Sequence, residues 1–127
     1  MPQIRDFMTS SVLVTTPDQT VLDAAKLMKA EDRGSIVVMD GKKPVAIVTE
    51  RDFLKKVVAE GRSAKDTRIR DIMTTPVVSI GPEESLKRAS KLMQLKKIRR
   101  LPVVEGGKLV GIITEADLAA LDPHDLL

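Results

Sequence analysis

Two four-residue strings hold the chemistry this chain can offer: Thr49-Glu50-Arg51-Asp52 and Thr114-Glu115-Ala116-Asp117. In each, a hydroxyl and a carboxylate stand three positions apart, directly after a β-branched run. One reading is a capping box, in which the Thr side chain accepts a first-turn amide of a helix and the carboxylate reaches back to the Thr amide. The other is a sugar site, because an ionised carboxylate can accept from two neighbouring hydroxyls and so favours a cis-diol over a deoxyribose. Both readings need a strand that turns into a helix at the Thr. Catalysis has less to draw on. The chain has no Cys and a single histidine, His124, and its sequence shows no glycine-rich phosphate loop or metal-spaced cluster. An enzyme is not expected.

The elements that must position these strings occur twice. Residues 4–54 recur without a gap as residues 69–119, so that Ile4, Arg5, Asp6, Met8 and Thr9 return as Ile69, Arg70, Asp71, Met73 and Thr74. Val12–Val14 and Val77–Ile80 read as first strands, and Thr20 and Ser85 as N-caps of helices with Val21, Ala24, Met28 and Leu86, Ala89, Met93 at helical spacing. Gly34 is expected to end the first of these helices. Ile36–Met39 and Leu101–Val104 follow as second strands, Asp40-Gly41 and Gly106-Gly107 as turns, and Val45–Val48 and Leu109–Ile113 as third strands. The closing helix of the first half is expected to bury Phe53, Leu54, Val57 and Val58 and to stop at Gly61. Each half is thus β-α-β-β-α. The expected organisation is repeat 1 at 1–61, a polar linker at 62–68 and repeat 2 at 69–127. A piece of roughly 60 residues buries only about 60% of its unfolded surface, so the halves are expected to pack into one body.

Composition removes several classes. Phe7 and Phe53 are the only aromatics, which leaves little for stacking on single-stranded bases. The net charge of +3 is spread among interleaved acids and bases, so no polybasic arm for nucleic acid or membrane appears. Without Cys there are no disulfides or thiolate sites. No apolar run approaches the ~18 residues of a membrane span, and a cytoplasmic location is the default expectation. The methionines at 8, 28, 39, 73 and 93 read as core filler rather than a binding stripe.

The openings IRDFMT and IRDIMT, the second strands RGSIVVM and IRRLPVV, and the junctions PVAIVTERD and LVGIITEAD follow in the same order in both halves. From Ile4 to about Leu121 the chain resembles the tandem cystathionine β-synthase (CBS) domain pair, or Bateman module. The resemblance implies an α+β fold of two β-α-β-β-α repeats packed sheet to sheet about a pseudo-twofold axis. It also implies clefts between the repeats for adenine nucleotides or S-adenosylmethionine, and pairing of copies into homodimers.

Carried onto this chain, the resemblance assigns ribose contacts to Thr49, Asp52, Thr114 and Asp117. It places Arg99 and Arg100 as phosphate ligands for a nucleotide held by Asp52; Arg51, within TERD, is read beside them as a further donor. An adenine ring needs apolar walls, and Val14, Ile36, Val37, Val38, Ile47, Val78, Pro102, Val103 and Ile112 are the candidates. The two sites are not equivalent. Gly34-Ser35 stands where the second repeat has Arg99-Arg100, and Ala116 where the first has Arg51, with only Arg33 near the second site. Tighter binding is therefore expected at Asp52. The leading expectation is a stand-alone sensor of AMP, ADP, ATP or S-adenosylmethionine, as a regulatory ligand and not a cofactor, acting on an unidentified protein. The competing expectation is an interaction scaffold without ligand, and nucleic-acid binding is disfavoured.

Overall fold

The computed structural model describes residues 2–119. The fold is α+β, and the chain divides into two compact units that do not coincide with the sequence repeats. The first unit is Leu13–Val77; the second joins the residues up to Val12 to those from Val78 onward.

In the first unit, β1 (Val14–Thr15), α1 (Val21–Glu31), β2 (Ser35–Asp40), β3 (Lys43–Thr49) and α2 (Glu50–Phe53) follow one another, and α2 runs on into a π-helical turn, Leu54–Val58. The sheet order is β1-β2-β3, with β1 parallel and β3 antiparallel to β2, and with Val37 opposite Ile47 and Ser35 opposite Thr49. Ile36, Val38, Ala46 and Val48 form the face that packs on Val21, Ala24 and Met28 of α1. The second unit has α3 (Leu86–Lys96), β4 (Arg100–Glu105), β5 (Lys108–Thr114) and α4 (Glu115–Ala119). There Pro102 faces Ile112, Arg100 faces Thr114, and Leu101, Val103 and Ile113 pack on Leu86, Ala89 and Met93.

The helix starts follow from their caps. Thr20 Oγ1 accepts from Asp23 N at 3.1 Å and Ser85 Oγ from Arg88 N at 3.1 Å, as the sequence predicts. The ends do not follow the glycine. Asp32 (φ 52°) and Lys97 (φ 55°) take the left-handed position, and Arg33 N donates to Met28 O at 2.9 Å while Ile98 N donates to Met93 O at 3.0 Å. Gly34 serves the next junction instead, its carbonyl accepting from Glu50 N at 3.1 Å.

Two further expectations are corrected. The first strands are shorter than the β-branched runs suggested: β1 has two residues, and the second unit has only a bridge between Ile80 and Val103. Pro102 explains the difference. Val37 N donates to Leu13 O at 3.0 Å, and the residue in the matching place, Pro102, has no N–H to give. The closing helix of the first unit buries Val57 (3% exposed) but leaves Leu54 at 60% and Val58 at 68%. Its π-helical turn, closed by Ala59 N to Leu54 O at 2.9 Å, changes the angular spacing on which the expected apolar face rested.

The turn Ile4–Asp6 completes the second unit and its copy Ile69–Asp71 the first. Ile4 N and Arg5 N donate to Glu84 O (3.0 Å) and Pro82 O (2.8 Å), while Ile69 N and Arg70 N donate to Gln19 O (2.9 Å) and Pro17 O (3.0 Å). Both isoleucines are fully buried, each in the core of the unit it joins. Burial of such a side chain is worth about 1.5–3 kcal/mol. Each repeat's opening arm is therefore core material for the body of the other repeat.

Candidate functional site

The β3–α2 junction presents Thr49 in extended conformation (φ −122°, ψ 167°) as the helix N-cap. Thr49 Oγ1 accepts from Asp52 N at 3.3 Å, and Asp52 Oδ2 accepts from Thr49 N at 2.9 Å and from Thr49 Oγ1 at 3.3 Å. The β5–α4 junction repeats this: Asp117 N to Thr114 Oγ1 at 3.2 Å, Thr114 N to Asp117 Oδ2 at 2.8 Å, and Thr114 Oγ1 to Asp117 Oδ2 at 3.0 Å. The capping-box reading is thus realised in both halves. It uses one carboxylate oxygen, Oδ2, and so leaves the other to be accounted for in each case.

At Asp52 that oxygen has a partner the sequence reading did not single out. Lys56 Nζ lies 3.4 Å from Asp52 Oδ1 and donates to Ile72 O at 2.9 Å and to Thr74 Oγ1 at 3.3 Å. The signal was the four-residue spacing of Asp52 and Lys56, which puts an acid and a base on one side of a helix. Position 121, the matching place in the second repeat, holds Leu. Asp117 Oδ1 has no partner among the described residues.

The guanidinium candidates are placed as follows. Arg51 is exposed on α2, and Ala116 is exposed on α4. Arg99 is exposed, its Nε 3.6 Å from Glu115 Oε2, and its carbonyl accepts from Glu115 N at 2.8 Å. Arg100 opens β4 directly across from Thr114. Within the second unit, then, both arginines adjoin the β5–α4 junction.

The candidate adenine walls fall into two groups. Ile36, Val38 and Val103 belong to the helix-facing cores, where their side chains are already packed. Val78 packs at the edge of the second unit's core. Val37 with Ile47, and Pro102 with Ile112, are register pairs that alternate with the helix-facing positions and so point to the opposite sheet face. Val14, beside Val37, is 45% exposed. Among the described residues no group of three acidic, His or Cys side chains could hold a metal ion, and no helix is long and apolar enough to cross a membrane.

The CBS domain sequence pattern matches residues 4–59 and 69–123. The chain belongs to the CBS domain family. The CBS domain-containing protein YhcV of Bacillus subtilis is 40% identical over 119 residues, which cover 94% of this chain and 84% of that protein. An uncharacterized protein of Methanopyrus kandleri is 38% identical over 115 residues, and the match covers 89% of this chain but spans only 59% of that protein's length. Among solved structures, a hexameric CBS-CP12 protein from bloom-forming cyanobacteria superimposes with a TM-score of 0.88 at 34% identity, covering 94% of this chain and 67% of that one. A protein built on this CBS fold thus assembles into an oligomer. In this CBS chain the Thr–Asp junctions lie within the two matched segments, one in each.

Proposed function

We propose that this CBS pair is a regulatory sensor, not an enzyme, that binds an adenosyl ligand such as AMP, ADP, ATP or S-adenosylmethionine. The observation that supports the reading is the doubly built Thr–Asp junction, in which the cap holds each carboxylate by Oδ2, and the other oxygen is the proposed acceptor for ribose hydroxyls. Val37, Ile47, Pro102 and Ile112 are the proposed apolar contacts for the base, with Val14 at their edge. Arg51, Arg99 and Arg100 are the proposed phosphate donors. On this proposal the Asp52 site binds more tightly than the Asp117 site because it is served by more guanidiniums. The sensor acts in the cytoplasm as a homodimer on a protein it regulates, and a ligand shifts its state only through unequal affinity for two arrangements.

Thermal melting against the four ligands tests this. A true ligand at about 100 times its dissociation constant should stabilise by about 2.7 kcal/mol, and no shift with any of them would overturn the proposal. Titration of AMP into Asp52→Ala and Asp117→Ala then tests the inequality of the sites, which equal losses would refute. A double-mutant cycle between Asp52 and the Arg99/Arg100 pair reports whether they serve one ligand. A second reading, an interaction scaffold, is favoured by one observation: the exposure of Leu54 and Val58 on consecutive turns.

A further inference from the structure

Acids and bases alternate along most of the chain, but between Glu84 and Glu105 there is no acid at all. α3 lies in that stretch. Its Leu86, Ala89 and Met93 are buried in the core of the second unit. At about 3.6 residues per turn, Lys87, Arg88, Lys91 and Leu95 fall within about 100° of one another on the opposite side. All three cations are exposed, and Leu95 is 75% exposed. Lys96 and Lys97, also exposed, carry the positive charge on past the helix end.

The copy of this helix in the first unit shows that the fold does not require such a face. At the matching places α1 has Leu22, Asp23, Lys26 and Ala30, and Glu31 and Asp32 stand where α3 ends in Lys96 and Lys97. The first turns differ most in their electrostatics. α1 places Asp23 at the positive end of the helix dipole, whereas the first turn of α3 holds Lys87 and Arg88 and no acid. Cations at that end oppose the dipole and weaken the helix. Residue types that work against their own element mark a surface kept for something other than folding.

We propose that the exposed side of α3 is a docking surface for an acidic segment of a partner protein, one that carries apolar side chains among its carboxylates. The cations attract and orient the segment, and Leu95 gives it an apolar contact in their midst. Charge complementarity calls for an anion, and the helix itself discriminates among anions. Its apolar stripe is buried in its own core, so it has only one leucine to sink into a lipid surface. From Lys87 to Lys97 it rises only about 15 Å, room for few phosphates of a duplex, and a leucine gains nothing on a phosphate backbone. This surface does not involve the Thr–Asp junctions, so it stands or falls apart from the nucleotide reading.

The test is fluorescence anisotropy of two labelled synthetic peptides with the full chain, one a repeat of Glu-Glu-Leu and the other of Glu-Glu-Ser, with duplex DNA and phosphatidylserine vesicles as competitors. The Leu peptide should bind about tenfold more tightly than the Ser peptide, the share of a buried leucine, and Leu95→Ser should remove that difference. Lys91→Glu deletes one attraction and adds a repulsion, and should weaken the Leu peptide about tenfold. Lys26→Glu, at the matching place on α1, should leave its affinity within about twofold. Lys87→Glu combined with Arg88→Asp should raise the melting temperature and yet weaken binding, an outcome that misfolding cannot produce. Equal affinity for the two peptides, equal losses on Lys26→Glu and Lys91→Glu, or tighter binding of the duplex or the vesicles overturns the proposal. So does binding of neither peptide, or light scattering in which Lys91→Glu dissociates a complex between copies while the peptide affinities stay unchanged.

Discussion

The two opening arms begin alike and end differently. Ile4 and Ile69 enter equivalent places, and Arg5 and Arg70 meet matching acids, Glu83 and Asp18, in the bodies they join. Four residues on they diverge. Thr9 exchanges two backbone hydrogen bonds with Ile112, both 2.9 Å, whereas the matching Thr74 takes a side-chain contact from Lys56 instead. The first arrangement is close-packed at Gly111: a Cβ there would lie 2.6 Å from Met8 Sδ and 3.0 Å from Thr9 O, so a larger residue would require the arm to shift where it closes on β5. The first repeat has Ala46 at that place and Lys56 within reach. The arm is thus held by a backbone bridge to β5 in one unit and by a lysine tether in the other. The tether reaches the proposed ribose carboxylate and the bridge does not.

The largest effects should come from what the arms share. Ile4→Ala and Ile69→Ala each remove a fully buried side chain from a different core and should each cost about 2–5 kcal/mol in urea unfolding. Similar losses support reciprocal exchange of equivalent arms. If one substitution is nearly silent, the arms are not equal partners and the comparison fails at its root.

Where the arms differ, the response should differ. Gly111→Ala forces Met8 and the Thr9 carbonyl to move and should destabilise by about 1–3 kcal/mol, with faster hydrogen exchange at the Thr9 and Ile112 amides. Lys56→Met should leave those amides alone and loosen the segment around Ile72 and Thr74. A shared response would mean that bridge and tether are one mechanical element. The caps should again agree: Thr49→Ala and Thr114→Ala each remove an acceptor for a first-turn amide and should cost about 1 kcal/mol.

Local signals were legible in the sequence and long-range ones were not. The caps at Thr20, Ser85, Thr49 and Thr114 depend on residues within one turn, and all four form as read. The hairpins followed from Asp40-Gly41 and Gly106-Gly107, with Gly41 and both of the latter glycines at positive φ. The arm exchange was hidden because a repeat records which residues are alike, not which body they enter. Pro102 could have warned of the shortened ladder, since the missing donor is visible in its type, but only once its strand neighbour is known. The π-helical turn at Leu54–Val58 has no signature in apolar spacing, which is why that spacing predicts Leu54 and Val58 on the inner side. Lys56 was legible as a helical partner of Asp52. Its second and third contacts, to Ile72 and Thr74, bring together positions that no local pattern connects.

The smallest expected effect decides what kind of force seats the arms. Arg5 Nη2 lies 2.7 Å from Glu105 Oε2 and 3.9 Å from Glu83 Oε1, and Arg70 pairs with Asp18, yet these side chains are all substantially exposed. Exposed ion pairs trade a modest attraction for lost side-chain freedom and are screened by salt, so Arg5→Gln and Arg70→Gln should each cost less than about 1 kcal/mol, with the difference shrinking further in molar salt. The isoleucine one position earlier should then outweigh its arginine several-fold in both arms. A loss on Arg70→Gln comparable to that on Ile69→Ala, persisting at high salt, would instead make the ion pair the anchor of that arm. The hydrophobic account of the exchange would then hold for the second unit alone.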